Sequence, residues 1–351
     1  MNIHDIMQLV VDRQGSDIHL NVETPPMLRV DGILIAVEGA PVLTQELSEK
    51  LIMPLLTQEQ KDYVRVNKEL DFGYQFQDKG RFRINVFHAM GTLGAAMRLI
   101  PDRVKSLDEL NLPPIMSEFI NFNQGLILLT GPTGEGKSTT LAALIDMINK
   151  TRSEHIVTIE DPIEFRYRPN KSIITQREIR HDTNSWQVAL RSVLREDPDV
   201  VLIGEMRDFE TIASAITIAE TGNLVFATLH TATAAETMSR IIDVFPAGQQ
   251  GQIRQQLAAT VKAVASQRLL PAIGGGRRAA MEIMLANSAI RNLIREEKEF
   301  QIDTVMQTSA ESGMMLFETH LMQLIQQGII SQETALERAF RPIEMARLLE
   351  K

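Results

Sequence analysis

The chain has 351 residues, a formal net charge of −9, 44% hydrophobic residues, 23% charged residues and no cysteine. That is enough for two domains with ordinary cores. It excludes disulfides and Cys-ligated zinc, and the acidic balance argues against a protein that coats nucleic acid.

The start, "MNIHDIMQLVVDRQGSDIHL", lacks the basic opening and apolar run of a signal peptide. No stretch approaches the roughly 18 apolar residues of a membrane span. A cytoplasmic protein is expected, with membrane contact made through partners. The seven His residues show no metal-ligand spacing.

Residues 1–100 mix strands and helices. "DIMQLVVDR" predicts an amphipathic helix, and Thr57 to Gln60 form a capping box that opens a helix toward Val66. "DIHL", "PMLRVDGILIAV", "DFGYQF", "RFRINVFHAM" and "GAAMRLI" read as strands. This is a small α+β domain. "PDRVKSLDELNLPP", Pro101 to Pro114, is a proline-stiffened linker.

From about Gly125 to Ser288 the texture changes. "LILLT", "HIVTIE", "DVVLIGE" and "LVFATLH" are continuous apolar strands, separated by helical runs such as "STTLAALIDMINK", "SWQVALRSVLR" and "DFETIASAITIAETG". A parallel sheet covered on both faces follows. "AIGGGRRAAMEIML" reads as a turn and one more strand, and the chain after Ser288 as mostly helical. The second domain is thus expected over 115–351.

Gly131-Pro132-Thr133-Gly134-Glu135-Gly136-Lys137-Ser138, followed by Thr139, matches a phosphate-binding loop between a strand and a helix. Glycines let successive N–H groups curl toward phosphate oxygens, and the helix N-terminus adds positive potential. Lys137 can reach the β- and γ-phosphates, and Ser138 can ligate Mg²⁺. A nucleotide is the expected ligand. Glu135 is expected to face outward, toward solvent or a neighbouring subunit, away from the cradle.

Three further strands end in chemistry. "DPDVVLIGEMRD" carries Glu205, expected on a strand beside the phosphate strand and suited to Mg²⁺, directly or through water; Gly204 stands where an Asp is usual. "HIVTIEDPIEF" carries Glu160, Asp161 and Glu164, with Glu164 the candidate base for activating water; a solvated acidic turn is the alternative for any one of them. "NLVFATLHT" brings His230 to the same edge, where it could sense the γ-phosphate. In the N-terminal domain, Arg81 and Arg83 alternate in "RFRINVF" and share one strand face, which suits a clamp on phosphate charge as well as a solvated face.

The set "GPTGEGKSTT", "TIEDPIE", "DPDVVLIGEMRD", "TLHT" and "AIRNLIRE" resembles the type IV pilus retraction ATPases, the PilT-type twitching-motility motors of the secretion-ATPase superfamily, over essentially the whole chain. The resemblance implies a PAS-like α+β N-terminal domain, a RecA-like P-loop ATPase domain with a helical C-terminal segment, and a homohexameric ring. ATP would lie between the two domains and be completed by a neighbour. It makes Lys137 and Ser138 Walker A residues, Glu160, Asp161 and Glu164 an Asp box, Glu205 the Walker B acid and His230 part of a His box. Arg81, Arg83 and Arg98 match phosphate-reaching arginines.

Ala289-Ile290-Arg291-Asn292-Leu293-Ile294-Arg295-Glu296 would couple hydrolysis to pilus disassembly. Ile290, Leu293 and Ile294 bury one helix face, while Arg291 and Arg295 share the other. Implied partners are an inner-membrane pilus platform protein and a paralogous retraction ATPase, with peripheral attachment to the inner membrane and no nucleic acid. Two positions depart from the family: Glu135 replaces a small residue and Asn223 a His, and both bear on turnover more than on fold. The alternatives are an accessory PilU-type motor and a pilus-extension or type II secretion ATPase. Those of another class are a nucleic-acid translocase and a nucleotide-binding scaffold.

Overall fold

A computed structural model describes residues 2–13, 15–30, 32–77, 79–100 and 103–350. Pro101, the first residue of the expected linker, lies outside them, as does Asp102. Contacts divide the chain into two units: Met1–Arg103 with Pro162–Arg166, and Val104–Asp161 with Tyr167–Lys351.

In the first unit, strands β1 (Asp17–Leu20), β2 (Met27–Val30), β3 (Ile33–Ala36), β4 (Glu69–Phe76), β5 (Gly80–Ala89) and β6 (Thr92–Ile100) form an antiparallel sheet of order β3-β2-β1-β6-β5-β4. The run "PMLRVDGILIAV" breaks into the β2–β3 hairpin about Gly32, whose φ of 82° favours glycine. Side-chain alternation sorts the sheet. Ile18, Phe72, Phe82, Ile84, Ala95 and Met97 enter a core with helices α1 (Ile3–Asp12), α2 (Gln45–Ile52) and α3 (Gln58–Asn67). The α3 helix opens with the Thr57/Gln60 capping box. The intervening residues, Arg81, Arg83 and Arg98 among them, take the opposite face.

The second unit holds β7 (Gly125–Thr130), β8 (His155–Glu160), β9 (Ile173–Glu178), β10 (Val200–Ile203), β11 (Leu224–Leu229), β12 (Val261–Pro271) and β13 (Arg277–Leu285) in the order β13-β12-β7-β11-β10-β8-β9. All pairs are parallel except β12 with β13. Both faces of β7, β10 and β11 are buried, so their sequences run apolar without alternation. Strands β9 and β12 escape the sequence reading. β9 is a half-exposed edge, and Lys262, Gln267 and Arg268 interrupt the apolar run of β12.

Helices α4 (Lys137–Thr151), α5 (Trp186–Val193), α6 (Phe209–Glu220), α7 (Ala234–Asp243) and α8 (Ala247–Thr260) accompany the sheet. The C-terminal helices α9 (Ser288–Arg295), α10 (Ile302–Thr308), α11 (Phe317–Gln326), α12 (Gln332–Arg338) and α13 (Pro342–Leu349) follow. Of these, α11–α13 bury Phe317, Leu321, Ala335 and Met345 against Leu270 and Ala280. Arg341, preceding α13, ties this layer down: its guanidinium bonds Glu318 on α11 (2.9 Å), Asp303 on α10 (2.5 Å) and Glu282 on β13 (3.1 Å).

His320 on α11 is buried, and its Nδ1 accepts from the Met281 N–H at 2.9 Å. Burial lowers its pKa to about 4, and a ring nitrogen that accepts a backbone N–H is held in the unprotonated form. The folded state keeps the ring neutral where the unfolded chain binds a proton. Its contribution is therefore complete above about pH 6.5 and falls away down to pH 4, by at most about 3 kcal/mol. Asn at this position offers an Oδ1 to the same N–H and does not titrate. Urea melts at pH 7 and pH 5 should show His320→Asn losing about 2 kcal/mol less than wild type across that interval; equal losses would remove His320 from the acid response.

Candidate active site

The phosphate loop grows from the end of β7. Gly131 turns with φ 136°, and a Cβ there would lie 2.3 Å from the Gln267 carbonyl on β12, so two constraints select glycine. Gly136, at φ 79°, precedes α4 and offers no capping side chain. Helices such as α5, α6 and α7 spend a Ser, Asp or Thr oxygen on that task. The first N–H groups of α4 are therefore left to an anion. Lys137 is buried, with its ammonium donating to the carbonyls of Gly131 (2.6 Å) and Pro132 (2.9 Å). Ser138 is exposed on the first turn of α4, and Thr139 is half-buried beside it.

Glu135 overturns its expectation. Its side chain does not face outward: Oε2 accepts from the Leu269 N–H on β12 at 2.5 Å, and its own carbonyl accepts from Gln267 Nε2 at 2.7 Å.

Parallel pairing brings the ends of β7, β11, β10 and β8 to one edge, the edge of the phosphate loop. The order corrects one expectation, because β10 is not the neighbour of β7. β11 intervenes, so His230 follows the adjacent strand and Glu205 the next one. Glu205 and His230 nevertheless meet. Glu205 Oε1 is 2.7 Å from His230 Nε2, and Oε2 accepts from Arg207 Nη2 at 2.7 Å. Partial burial works to raise the Glu205 pKa, but hydrogen bonds from Arg207 and His230 and the charge of Arg207 prevail and hold it low. Glu205 is thus an ionised carboxylate. Arg207, whose pKa is raised chiefly by the Glu205 hydrogen bond, went unassigned in the sequence although it lies in "GEMRD". Gly204 packs close: a Cβ would stand 3.3 Å from the Ile159 carbonyl and 3.4 Å from the Glu160 Cα.

The acids after β8 separate. Glu160 is buried at the strand end, accepting from Thr158 Oγ1 (2.6 Å) and Gln176 Nε2 (3.2 Å). Asp161 is 4.0 Å from Arg180 and contributes to the field at Arg207. Glu164 belongs to the segment Pro162–Arg166, which groups with the N-terminal unit. There Arg83 Nη1 donates to Glu164 Oε1 at 3.2 Å.

The arginines form a cross-strand row. Arg98 on β6 lies opposite both Arg83 on β5 and Asp17 on β1, and Asp17 lies opposite Arg29 on β2. Like charges facing each other are unfavourable, and carboxylates offset them. Asp17 accepts from Arg98 Nε at 2.9 Å, while Asp71 accepts from Arg83 Nη2 at 2.7 Å. Burial would raise the Asp17 pKa, but hydrogen bonds from Ser16 and Arg98 lower it. Arg81 lies over Gly73, where a Cβ would fall 2.1 Å from its Nη2. Asp71, like Gln267, carries no motif that marks it in the sequence; only pairing across strands shows its place.

On α9, Ile290 and Ile294 are fully buried and Leu293 half-buried, whereas Ala289, Asn292 and Arg295, and Glu296 at its C-cap, are exposed. Arg291 departs from the expected outer pair. Half-buried, its Nε returns to the Ala286 carbonyl at 2.9 Å, which leaves Arg295 as the exposed cation of the two. Asn223 lies at the opposite end of β11 from His230, with Nδ2 on the Ile218 carbonyl at 3.0 Å. A six-residue strand, roughly 20 Å long, separates it from the phosphate edge. It closes a turn there and is remote from the nucleotide chemistry.

The family model for "Type II/IV secretion system protein" matches residues 1–342. The type IV pilus retractation ATPase PilT of Pseudomonas aeruginosa is 44% identical over 97% of this chain and 99% of its own length. A twitching motility protein of Neisseria gonorrhoeae is 47% identical over 90% of this chain and 84% of its own. A crystal structure of the pilus retraction motor PilT with bound ADP superposes with a TM-score of 0.92 at 43% identity, covering 99% of both chains.

Proposed function

The chain belongs to the Type II/IV secretion system protein family, and on that premise we propose that it is an ATP-hydrolysing motor, a homohexamer that powers retraction of type IV pili. One observation carries this reading. A phosphate loop, an ionised Glu205 and His230 occupy one sheet edge, in a chain that matches a retraction ATPase nearly end to end. Among the described residues no helix is long and apolar enough to cross a membrane. Attachment to the inner membrane would run through a pilus platform protein, with a paralogous retraction ATPase as a further partner.

The N–H groups of Gly134 to Ser138 and the Lys137 ammonium bind the β- and γ-phosphates. The oxygen donors of Ser138 and Glu205, the latter directly or through water, suit Mg²⁺, which when bound neutralises charge on the phosphates. His230 and Arg207 orient the Glu205 carboxylate, and Glu160 and Asp161 add negative charge at the end of β8. Glu164 is the proposed base that deprotonates the attacking water, with Arg83 holding one of its oxygens. Arg81, Arg83 and Arg98 are proposed to answer phosphate charge. The exposed residues Ala289, Asn292 and Arg295 of α9, with Glu296 at its C-cap, are the proposed coupling face.

The test joins activity to assembly. Purified protein should hydrolyse Mg·ATP in the fraction that light scattering assigns to six copies. Glu164→Gln should retain ADP binding while turnover drops about 100-fold, the low end for a general base. Turnover that survives in Glu164→Gln would move the base elsewhere, and failure to take up nucleotide with magnesium would end the motor reading.

A further inference from the structure

Strand β12 runs past its neighbour. Its pairing with β7 ends at Ser266 opposite Thr130, where β7 turns into the phosphate loop. β12 continues to Pro271, paired with β13 on its other side. The overrun, Gln267 to Pro271, presents backbone groups that β7 can no longer satisfy. The loop takes one of them, the Leu269 N–H, and the Gln267 side chain reaches back to the loop. Gln267 spans two parts of the nucleotide machinery: Oε1 accepts from Thr140 Oγ1 on α4 at 2.8 Å, and Nε2 donates to the Glu135 carbonyl at 2.7 Å. The Glu135 carboxylate takes the Leu269 N–H at 2.5 Å.

We infer that Glu135 and Gln267 are positioning residues that latch the phosphate loop to β12 and set its N–H groups before nucleotide arrives. The physical need is conformational entropy. Holding one residue in a single backbone conformation costs about 1–2 kcal/mol, and a loop of glycines is the most expensive to order. Fastening Glu135 by side chain and by carbonyl, between Gly134 and Gly136, shifts that cost from binding to folding. The latch also explains how an anion is tolerated here. The carboxylate is turned onto a backbone donor of the sheet, so its charge is engaged away from the phosphates. Of the two fasteners the carboxylate is the stronger, because a charge-assisted hydrogen bond exceeds a neutral one.

This inference rests on the nucleotide-binding reading, and the experiment separates the two. Binding of a fluorescent ADP analogue and steady-state ATP hydrolysis would be measured for full-length wild type, Glu135→Ala, Glu135→Gln and Gln267→Ala. Amide exchange of residues 131–137 and 266–271 would be followed without nucleotide. Glu135→Ala should bind ADP about tenfold more weakly, with KM rising more than kcat falls, and should expose the Leu269 amide to faster exchange. Glu135→Gln keeps an acceptor and should recover to within about threefold of wild type. Gln267→Ala should weaken binding in the same direction. The latch is refuted if Glu135→Ala binds as wild type does, if Glu135→Gln is as weak as Glu135→Ala, or if Leu269 exchange is unchanged. Wild type that binds no ADP would fail the nucleotide reading instead, and Leu269 exchange would still judge the latch.

Discussion

Lys137→Ala is expected to reduce ATP hydrolysis by on the order of 10³-fold and to weaken nucleotide binding, with the fold intact. Removing one preorganised donor from a transition state costs about 10²–10³ in rate, and Lys137 contributes to ground-state binding as well. Its ammonium is buried and already aimed across the loop, bonded to the Gly131 and Pro132 carbonyls. A phosphate oxygen replaces those carbonyls without a large movement of the side chain. Lys137→Arg is not expected to rescue, because a planar fork cannot replace a compact point charge in so tight a loop. Steady-state kinetics beside a thermal melt checks this; a variant that keeps a tenth of wild-type turnover would remove Lys137 from the chemistry.

Arg341→Ala is expected to destabilise the ATPase unit by about 3–5 kcal/mol, the usual cost of stranding buried charges. The side chains of Glu282 and Glu318 are almost wholly buried, at 0% and 2% exposure, and both depend on this guanidinium. Burial raises the Glu282 pKa even against Arg341 and the Ala234 N–H. A raised carboxyl stabilises below its unfolded pKa and loses that contribution as pH rises through the folded value. The penalty of the substitution should therefore be largest near neutral pH and shrink toward pH 4, where the stranded acids take up protons. Urea melts of wild type and variant from pH 4 to 7.5 measure it. A penalty independent of pH would mean lost packing rather than stranded charge. Glu282→Gln in the Arg341→Ala background should recover part of the loss.

Local signals carried much of the fold. Continuous apolar runs marked β7, β8, β10 and β11 because a strand buried on both faces carries apolar residues on each, with the few polar ones hydrogen-bonded. The phosphate loop was legible because Gly131 and Gly136 turn at positive φ, a local demand that glycine meets. Strand β12 stayed hidden because its identity is not a local property. Gln267 looks like a solvent-facing break until the loop it braces is placed beside it. The same holds for Glu135, whose partner Leu269 is 134 residues away.

What the sequence by itself determined is the chemistry available: a phosphate loop, acids and a His at strand ends, arginines alternating on one strand, and an amphipathic C-terminal helix. Each depends on residue type and spacing within a few positions, where backbone geometry alone sets the neighbours. Only the tertiary structure decided the pairings. β11 separates β10 from β7, His230 and Arg207 share Glu205, Arg83 holds Glu164, Asn223 lies at the far end of its strand, and Glu135 folds back onto β12. Those depend on strand order and register, which are settled by the packing of distant segments into one core.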